Sequence, residues 1–172
     1  MKTSRAALLV AAFLAVGLSR PLVSSAAPPP SLGAPAPQFA LPIIANGHGY
    51  LRLSALRGHP VYLNFFASWC KPCIDEGNIL RTLSGEFKRR GVTTVGVATL
   101  DTIGGAKGFV RKYGLSYPVV FDATGAVGGS YGLAQLPLQV FITADGKIAL
   151  WGDAEMTRAS GRDALRRLGR GN

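Results

Sequence analysis

The chain has 172 residues, enough for one domain, and a hydrophobic content of 48% that argues against a disordered protein. The formal net charge of +10 is dispersed and lacks interleaved aromatic residues, which disfavours a nucleic-acid-binding role. The two cysteines, Cys70 and Cys73, are too close in sequence to form a disulfide scaffold.

The first 26 residues have the layout of a secretory signal peptide. Lys2 and Arg5 precede an apolar run over residues 6–18, and small residues surround a cleavage site expected after Ala26. The run has 13 residues, fewer than the ~20 that a membrane-spanning helix needs. Because Arg20 lies between the run and that site, an uncleaved membrane anchor is the alternative. Both interpretations predict a periplasmic or otherwise extracytoplasmic protein, soluble after cleavage or tethered to the membrane.

The proline-rich segment 27–38 predicts an extended linker, followed by a folded domain over residues 39–172 that begins near Phe39. The predicted elements are a strand at 50–53, a helical turn at 54–56, a buried strand at 61–67, a helix from 71 to 90, a strand at 93–99, a helix at 106–113, strands at 119–121, 139–143 and 147–151, and a helix at 157–168. Their order predicts an α/β fold with a central mixed sheet and helices on both faces.

The cysteines belong to the motif WCKPC at residues 69–73, where the buried strand at 61–67 becomes a helix. Cys70 is expected at the helix N-terminus, where the helix dipole and Lys71 stabilise the thiolate that attacks disulfides. Pro72 is compatible with the first helical turn. Cys73, one turn into the helix and more buried, would resolve a mixed disulfide. Trp69 either shields the sulfur of Cys70 or packs at the end of the strand.

A metal site is not expected around this motif. A structural zinc site needs four ligands, yet the chain has no second cysteine pair, and His48 and His59 lie in the preceding loops. The sequence therefore predicts a redox pair without a metal or other cofactor.

The chain resembles the thioredoxin superfamily from about residue 32 to residue 168, and specifically its extracytoplasmic TlpA/ResA-like thiol–disulfide oxidoreductases. The motifs that carry the resemblance are GAPAPQF at 33–39, LRGHPV at 56–61, LNFFASWC at 63–70, and YGL at 131–133 before Leu136-Pro137. The resemblance implies a thioredoxin-like fold and an enzyme that exchanges disulfides with exported proteins. It also implies a membrane electron donor, and we expect a monomer.

The resemblance also implies roles for individual residues. Leu136-Pro137 would be the cis-proline bond of the family, facing the cysteines and presenting the Leu136 backbone to a bound peptide; from the residues alone, Pro137 could equally be a loop proline. Asn64 stands where general reductants bury an aspartate. Glu76 matches a glutamate thought to tune the cysteines, which requires burial near the sulfurs; the alternative is an exposed residue that favours the helix dipole.

The sequence departs from the family pattern at two places. Asn78 replaces a proline that usually kinks the helix, and Gly77 before it is expected to soften the helix instead. Leu138 and Gln139 replace the usual pair of threonines after the cis-proline, which predicts an altered docking surface for partners.

The leading hypothesis is a reductant of exported proteins, of the cytochrome c maturation type or of general periplasmic function. An oxidant or isomerase with the same chemistry is the alternative, because stabilising the Cys70 thiolate stabilises the reduced form. A peroxidase is disfavoured, since Leu63 and Ala67 occupy the proline and threonine positions of a peroxiredoxin motif. A copper carrier is also disfavoured, although Met156 is available as a soft ligand.

Overall fold

Seven strands form one mixed sheet in the computed structural model, which describes residues 30–168. The strands are β1 (Ala40–Ala45), β2 (Tyr50–Arg52), β3 (Val61–Phe66), β4 (Thr93–Thr99), β5 (Val119–Asp122), β6 (Leu138–Ile142) and β7 (Ile148–Gly152). The helices are α1 (Lys71–Arg89), α2 (Ile103–Tyr113), α3 (Ala126–Ser130) and α4 (Arg158–Leu168), and a 3₁₀ helix covers Leu53–Leu56. The strand order is β2-β1-β5-β4-β3-β6-β7.

The strand that leads toward the cysteines is β3, an interior strand that lies between β4 and β6. It pairs in parallel with β4 and antiparallel with β6, and β4 and β5 are also parallel. Every residue of β3 is buried, as expected for a nearly uncharged run of branched and aromatic side chains with packed layers on both faces. The prediction of a mixed sheet with a buried central strand is confirmed.

The two faces of the sheet carry separate hydrophobic clusters. On one face, Tyr62 and Phe66 pack with apolar residues of α1, α2 and α4. On the other, Leu63 and Phe65 pack with Tyr131 and with residues of the 3₁₀ helix and α3. Helices therefore cover both faces, and the three longer ones share the face on which α1 lies.

Two elements were not predicted from the sequence, β1 and α3. The strand β1 was not predicted because it contains Pro42 and lacks polar–apolar alternation. In the structure it pairs with both β2 and β5. The helix α3 spans five residues, two of them glycines, which have low helix propensity. Asp122 supports it, since the carboxylate accepts the backbone N–H groups of Val127 and Gly128.

The ordered contacts begin before the expected start near Phe39. The N–H of Gly33 donates to the carbonyl of Ile148, and the N–H of Ile148 donates back to Ala34. Ala36 is buried, and Pro35 forms an isolated bridge with Lys147. Residues 33–36 of the expected linker are thus bound to the β7 edge, because an extended chain can pair with an open strand.

The predicted signal peptide or anchor over residues 1–26 lies outside the described residues, as do positions 27–29 and 169–172. Within residues 30–168, no helix has the length and apolar character needed to cross a membrane.

Gly77 has a packing role and does not interrupt α1, which runs from Lys71 to Arg89. A Cβ atom at Gly77 would lie 2.6 Å from Cγ and Cδ1 of Tyr113 in α2. The absence of a side chain at Gly77 lets the Tyr113 ring pack directly on the α1 backbone.

Candidate active site

The cysteine pair lies where β3 leads into α1, and a disulfide bond links Cys70 to Cys73. Cys70 is the N-cap of α1, and its Sγ accepts the backbone N–H of Cys73 at 3.2 Å. Cys70 is 4% exposed whereas Cys73 is fully buried. The more accessible residue is thus the one at the positive end of the helix dipole.

Lys71 and Pro72 follow in the first turn of α1. The ammonium of Lys71 lies 2.5 Å from both carboxylate oxygens of Asp75, and this pairing raises the pKa of Lys71. The pair is largely exposed to solvent. The positive charge expected to stabilise the Cys70 thiolate is therefore offset by a carboxylate one turn away.

The loop before Cys70 is held by the residues after β4. The carboxylate of Asp101 accepts the N–H of Ser68 at 2.6 Å and its hydroxyl at 2.9 Å. The indole Nε1 of Trp69 donates to the carbonyl of Leu100 at 3.1 Å, and the indole is largely exposed. Trp69 therefore lies on the surface next to Cys70, and the interpretation that it packs at the strand end is wrong.

The bond between Leu136 and Pro137 is cis, as the resemblance implies. Because Phe65 pairs with Leu138, the two residues before Leu138 run alongside the end of β3, just before Cys70. Leu136 is partly buried and packs against the cluster that contains both cysteines. The register thus places the cis bond alongside the segment that leads from β3 into Cys70.

Glu76 is 1% exposed, so the interpretation that places it on an exposed helix face is wrong. Its carboxylate accepts hydrogen bonds from Asn64 Nδ2 at 3.0 Å, from Gln139 Nε2 at 2.9 and 3.1 Å, and from the backbone N–H of Met156 at 2.6 Å. Burial raises the pKa of Glu76 to about 7, although these hydrogen bonds act in the opposite direction. Since residues three apart share a helix face, Glu76 lies one turn beyond Cys73 on the same face of α1.

Gln139 is the site residue that the sequence analysis misplaced. Leu138 and Gln139 are both buried in β6, so their side chains do not form a docking surface. Gln139 accepts hydrogen bonds from Asn64 and from the Tyr62 hydroxyl while it donates to Glu76. The pairing of β6 with β3 places Gln139 directly opposite Asn64. The strand register, which was not known from the sequence, is what would have identified Gln139 as a buried partner of Asn64 and Glu76.

Burial raises the pKa of Tyr62 well above its usual value, and the nearby carboxylate of Glu76 acts in the same direction. Tyr62 therefore remains a hydrogen-bond donor. The polar groups behind Cys73 form one connected network within a hydrophobic cluster.

The residues considered for a peroxidase and for a copper carrier are all buried. Leu63 and Ala67, which occupy the proline and threonine positions of a peroxiredoxin motif, are core residues. Met156 is also buried, and its sulfur accepts the Ser160 hydroxyl at 3.4 Å. Among residues 30–168, no group of three histidine, cysteine, aspartate or glutamate side chains is placed to hold a metal ion.

Comparisons with known proteins agree with this geometry. The AhpC/TSA family model matches residues 32–150. The thiol-disulfide oxidoreductase ResA of Bacillus thuringiensis (strain Al Hakam) is 34% identical over 117 residues, which are 68% of this chain and 66% of that protein, slightly under two thirds of its length. ResA of Bacillus subtilis (strain 168) is 33% identical over 135 residues, covering 78% of this chain and 74% of that protein.

Among solved structures, a secreted Mycobacterium tuberculosis disulfide oxidoreductase homologous to E. coli DsbE superposes with a TM-score of 0.65 at 27% identity. The match covers 77% of this chain and 96% of that one. The chain thus belongs to the AhpC/TSA family and, with its thioredoxin-like fold and cysteine pair, to the ResA-like thiol–disulfide oxidoreductases.

Proposed function

We propose that this protein is an exported reductant that transfers electrons from Cys70 and Cys73 to disulfides of other proteins. One observation carries the proposal: the slightly exposed Cys70 caps α1, while the buried Cys73 is followed one turn later by a carboxylate with a pKa of about 7. A surface nucleophile and an internal resolving thiol with a proton acceptor are what disulfide exchange requires.

In the reduced protein, the Cys70 thiolate attacks one sulfur of a partner disulfide. A bond forms between Cys70 and that sulfur, and the other partner sulfur leaves as a thiolate that takes up a proton. Cys73 then loses its proton and attacks Cys70, which forms the intramolecular disulfide and releases the second partner thiolate. Two electrons pass to the partner, which becomes a dithiol.

Glu76 accepts the proton of Cys73 in the second step, and its raised pKa suits this exchange at neutral pH. Asn64 and Gln139 act as positioning residues, because both donate to the Glu76 carboxylate. The partner segment lies beside Leu136 and Pro137, with Trp69 on the other side of Cys70.

The oxidised protein is returned to the dithiol by a membrane electron donor, and its substrates are oxidised exported proteins such as apocytochromes c. The resemblance to the extracytoplasmic branch supports this setting, as do the leader-like pattern of residues 1–26 and the secreted M. tuberculosis neighbour. We expect a monomer, either released by signal cleavage or tethered through its N-terminus.

An oxidant or isomerase is the second candidate. The N–H of Cys73 that points at the Cys70 sulfur would stabilise a thiolate and hence the reduced form. The reduction potential decides between the two, since a value near about −270 mV supports the reductant and one near about −120 mV supports the oxidant.

Cys73→Ser in the full-length chain, expressed in the producing cell, tests the proposal directly. The variant should accumulate mixed disulfides between Cys70 and its partners, because the resolving thiol is gone. Mass spectrometry of the trapped adducts identifies the substrates, and their redox state in a deletion strain gives the direction of electron flow.

Cys70→Ser is the matched control and should trap almost nothing, since Cys73 is fully buried. Equal trapping by the two variants, or none by Cys73→Ser, would contradict exchange with protein partners through Cys70.

A further inference from the structure

A cavity of about 420 Å³ lies at the end of the sheet opposite the cysteine pair, and we call it the α1–β4 pocket. Its walls are the last turns of α1, the start of β4 and the loop before β5. Lys88 is in the last turn of α1 whereas Cys70 caps its first turn, so the two lie about 25 Å apart along the helix axis. The pocket is therefore separate from the redox site, and its volume is in the range of small-molecule sites.

Two buried hydroxyl groups of the pocket have no hydrogen-bond partner within residues 30–168. They are the Oγ1 atom of Thr94 and the hydroxyl of Tyr117, and both residues line the pocket and are 6% exposed. Thr94 lies opposite Tyr62 in the register of β3 and β4, so its side chain points to the same face of the sheet, the one that α1 covers. Since a buried hydroxyl without a partner is destabilising and uncommon, these two groups call for an acceptor atom seated in the pocket.

Gly85 forms part of the wall on the side of α1. A glycine inside a helix is less favourable than an alanine, yet packing does not require this one. Within the described part of the chain, a Cβ atom at Gly85 would meet only Nη1 of Arg89, at 3.7 Å, whereas one at Gly77 would overlap the Tyr113 ring. The glycine therefore leaves to the pocket a volume that a side chain would fill.

The edge of the pocket is basic. Lys88 contributes an ammonium group and His59 an imidazole, and both residues are exposed. Among the described residues, no aspartate or glutamate lines the pocket. The carbonyls of residues 86–88 at the end of α1 accept the N–H groups of residues 90–92, so they are not free to repel an anion. The group that fits at this edge is an anionic oxygen.

We propose that the α1–β4 pocket binds a small aromatic carboxylate. Its carboxylate lies at the ammonium of Lys88, and an oxygen at the far end of its ring accepts a hydrogen bond from Thr94 or Tyr117. An apolar ring joins the two ends, since Val92 and Pro118 also line the pocket. No cysteine does, so the site is independent of the proposed disulfide exchange.

Three matched ligands test this assignment on the oxidised full-length protein. The probe is 4-hydroxybenzoate, 4-hydroxybenzamide is its neutral analogue, and benzoate lacks the hydroxyl. The probe should bind with a Kd of about 1 mM or below. The amide and benzoate should each bind about three- to fivefold more weakly, because one loses the charge and the other the hydrogen bond. Amide NMR shifts should be centred on residues 84–94 and 116–118.

Gly85→Leu should raise the Kd of 4-hydroxybenzoate by at least about tenfold, because the new side chain fills the pocket. Leucine favours the helix, so the variant should stay folded. Gly108→Leu, which changes a half-buried glycine of α2 away from the pocket, is the matched control and should bind like the wild type.

Two further variants test the two ends of the ligand. Thr94→Val keeps the shape of the side chain but removes its hydroxyl, so it should weaken 4-hydroxybenzoate to the level of benzoate and leave benzoate unchanged. Its melting temperature should rise, because an unpartnered buried hydroxyl is gone. Lys88→Met should remove the preference for the acid over the amide.

The inference is overturned if 4-hydroxybenzoate does not bind at about 10 mM, or if the three ligands bind equally. It is also overturned if Gly85→Leu binds the probe as well as Gly108→Leu does, or if the NMR shifts are centred on the cysteine pair.

Discussion

The two sides of the cysteine pair are opposites in chemistry. Behind Cys73, in the interior, Glu76 and Gln139 are polar groups enclosed by a hydrophobic cluster, and their polar side chains are linked by hydrogen bonds. In front of Cys70, at the surface, Trp69 and Leu100 are apolar groups exposed to water. This reverses the usual placement of polar and apolar residues.

Under the proposed function, the difference separates two requirements of disulfide exchange. Proton transfer needs a carboxylate whose pKa lies near neutrality, which burial provides. Recognition of a partner needs apolar area that water can leave, which only the surface provides. Three changes test this comparison, and they follow from the largest expected effect to the smallest.

Glu76→Gln tests the interior side through the pH dependence of stability. Burial raises the pKa of Glu76 from 4.5 to about 7, so the folded protein keeps a proton that the unfolded chain releases. The free energy of unfolding of the oxidised protein should thus fall by about 3 kcal/mol as pH rises through that window. Urea denaturation at pH 4.5 and pH 8 measures this loss, which Glu76→Gln should abolish.

Glu86→Gln in the same helix is the matched control and should leave the pH dependence unchanged, because Glu86 is only half-buried. A wild-type slope that persists in Glu76→Gln would mean that the buried carboxylate is not the titrating group.

Gly77→Ala tests how tightly the interior side is packed. The added Cβ would lie 2.6 Å from the Tyr113 ring, so we expect a loss of about 1–3 kcal/mol in the free energy of unfolding at neutral pH. Gly85→Ala in the same helix meets nothing closer than 3.7 Å and should stabilise by about 0.5–1 kcal/mol through helix propensity. Denaturation of both variants measures the difference, and equal effects would disprove the packing role of Gly77.

Lys71→Met tests the surface side and should have the smallest effect. Its ammonium is paired with Asp75 in solvent, so the alkylation rate of Cys70 in the reduced protein should fall by less than about threefold. Asp75→Asn should raise the rate by a similar factor, and the double variant should match the wild type. A tenfold fall in Lys71→Met alone would show that the lysine, rather than the helix end, stabilises the thiolate.

Most of the architecture followed from local patterns. The uncharged run of β3, the turn at residues 144–146 and the placement of WCKPC at a strand–helix junction each depend on neighbouring residues, and the structure confirms them. The motifs around Leu136-Pro137 likewise predicted the cis bond through family resemblance. The short helix α3 escaped prediction because its support is the Asp122 carboxylate, which caps it from the end of β5.

What the sequence by itself determined is therefore the nature and position of the redox pair, because a thiol at a helix N-terminus is a local arrangement. Only the tertiary structure decided that Glu76 is enclosed, that Gln139 faces it from β6, and that Leu100 is held exposed in the left-handed region. Glu76 and Gln139 are 63 positions apart in sequence. Their meeting depends on strand register and helix packing, which no local pattern in the chain encodes.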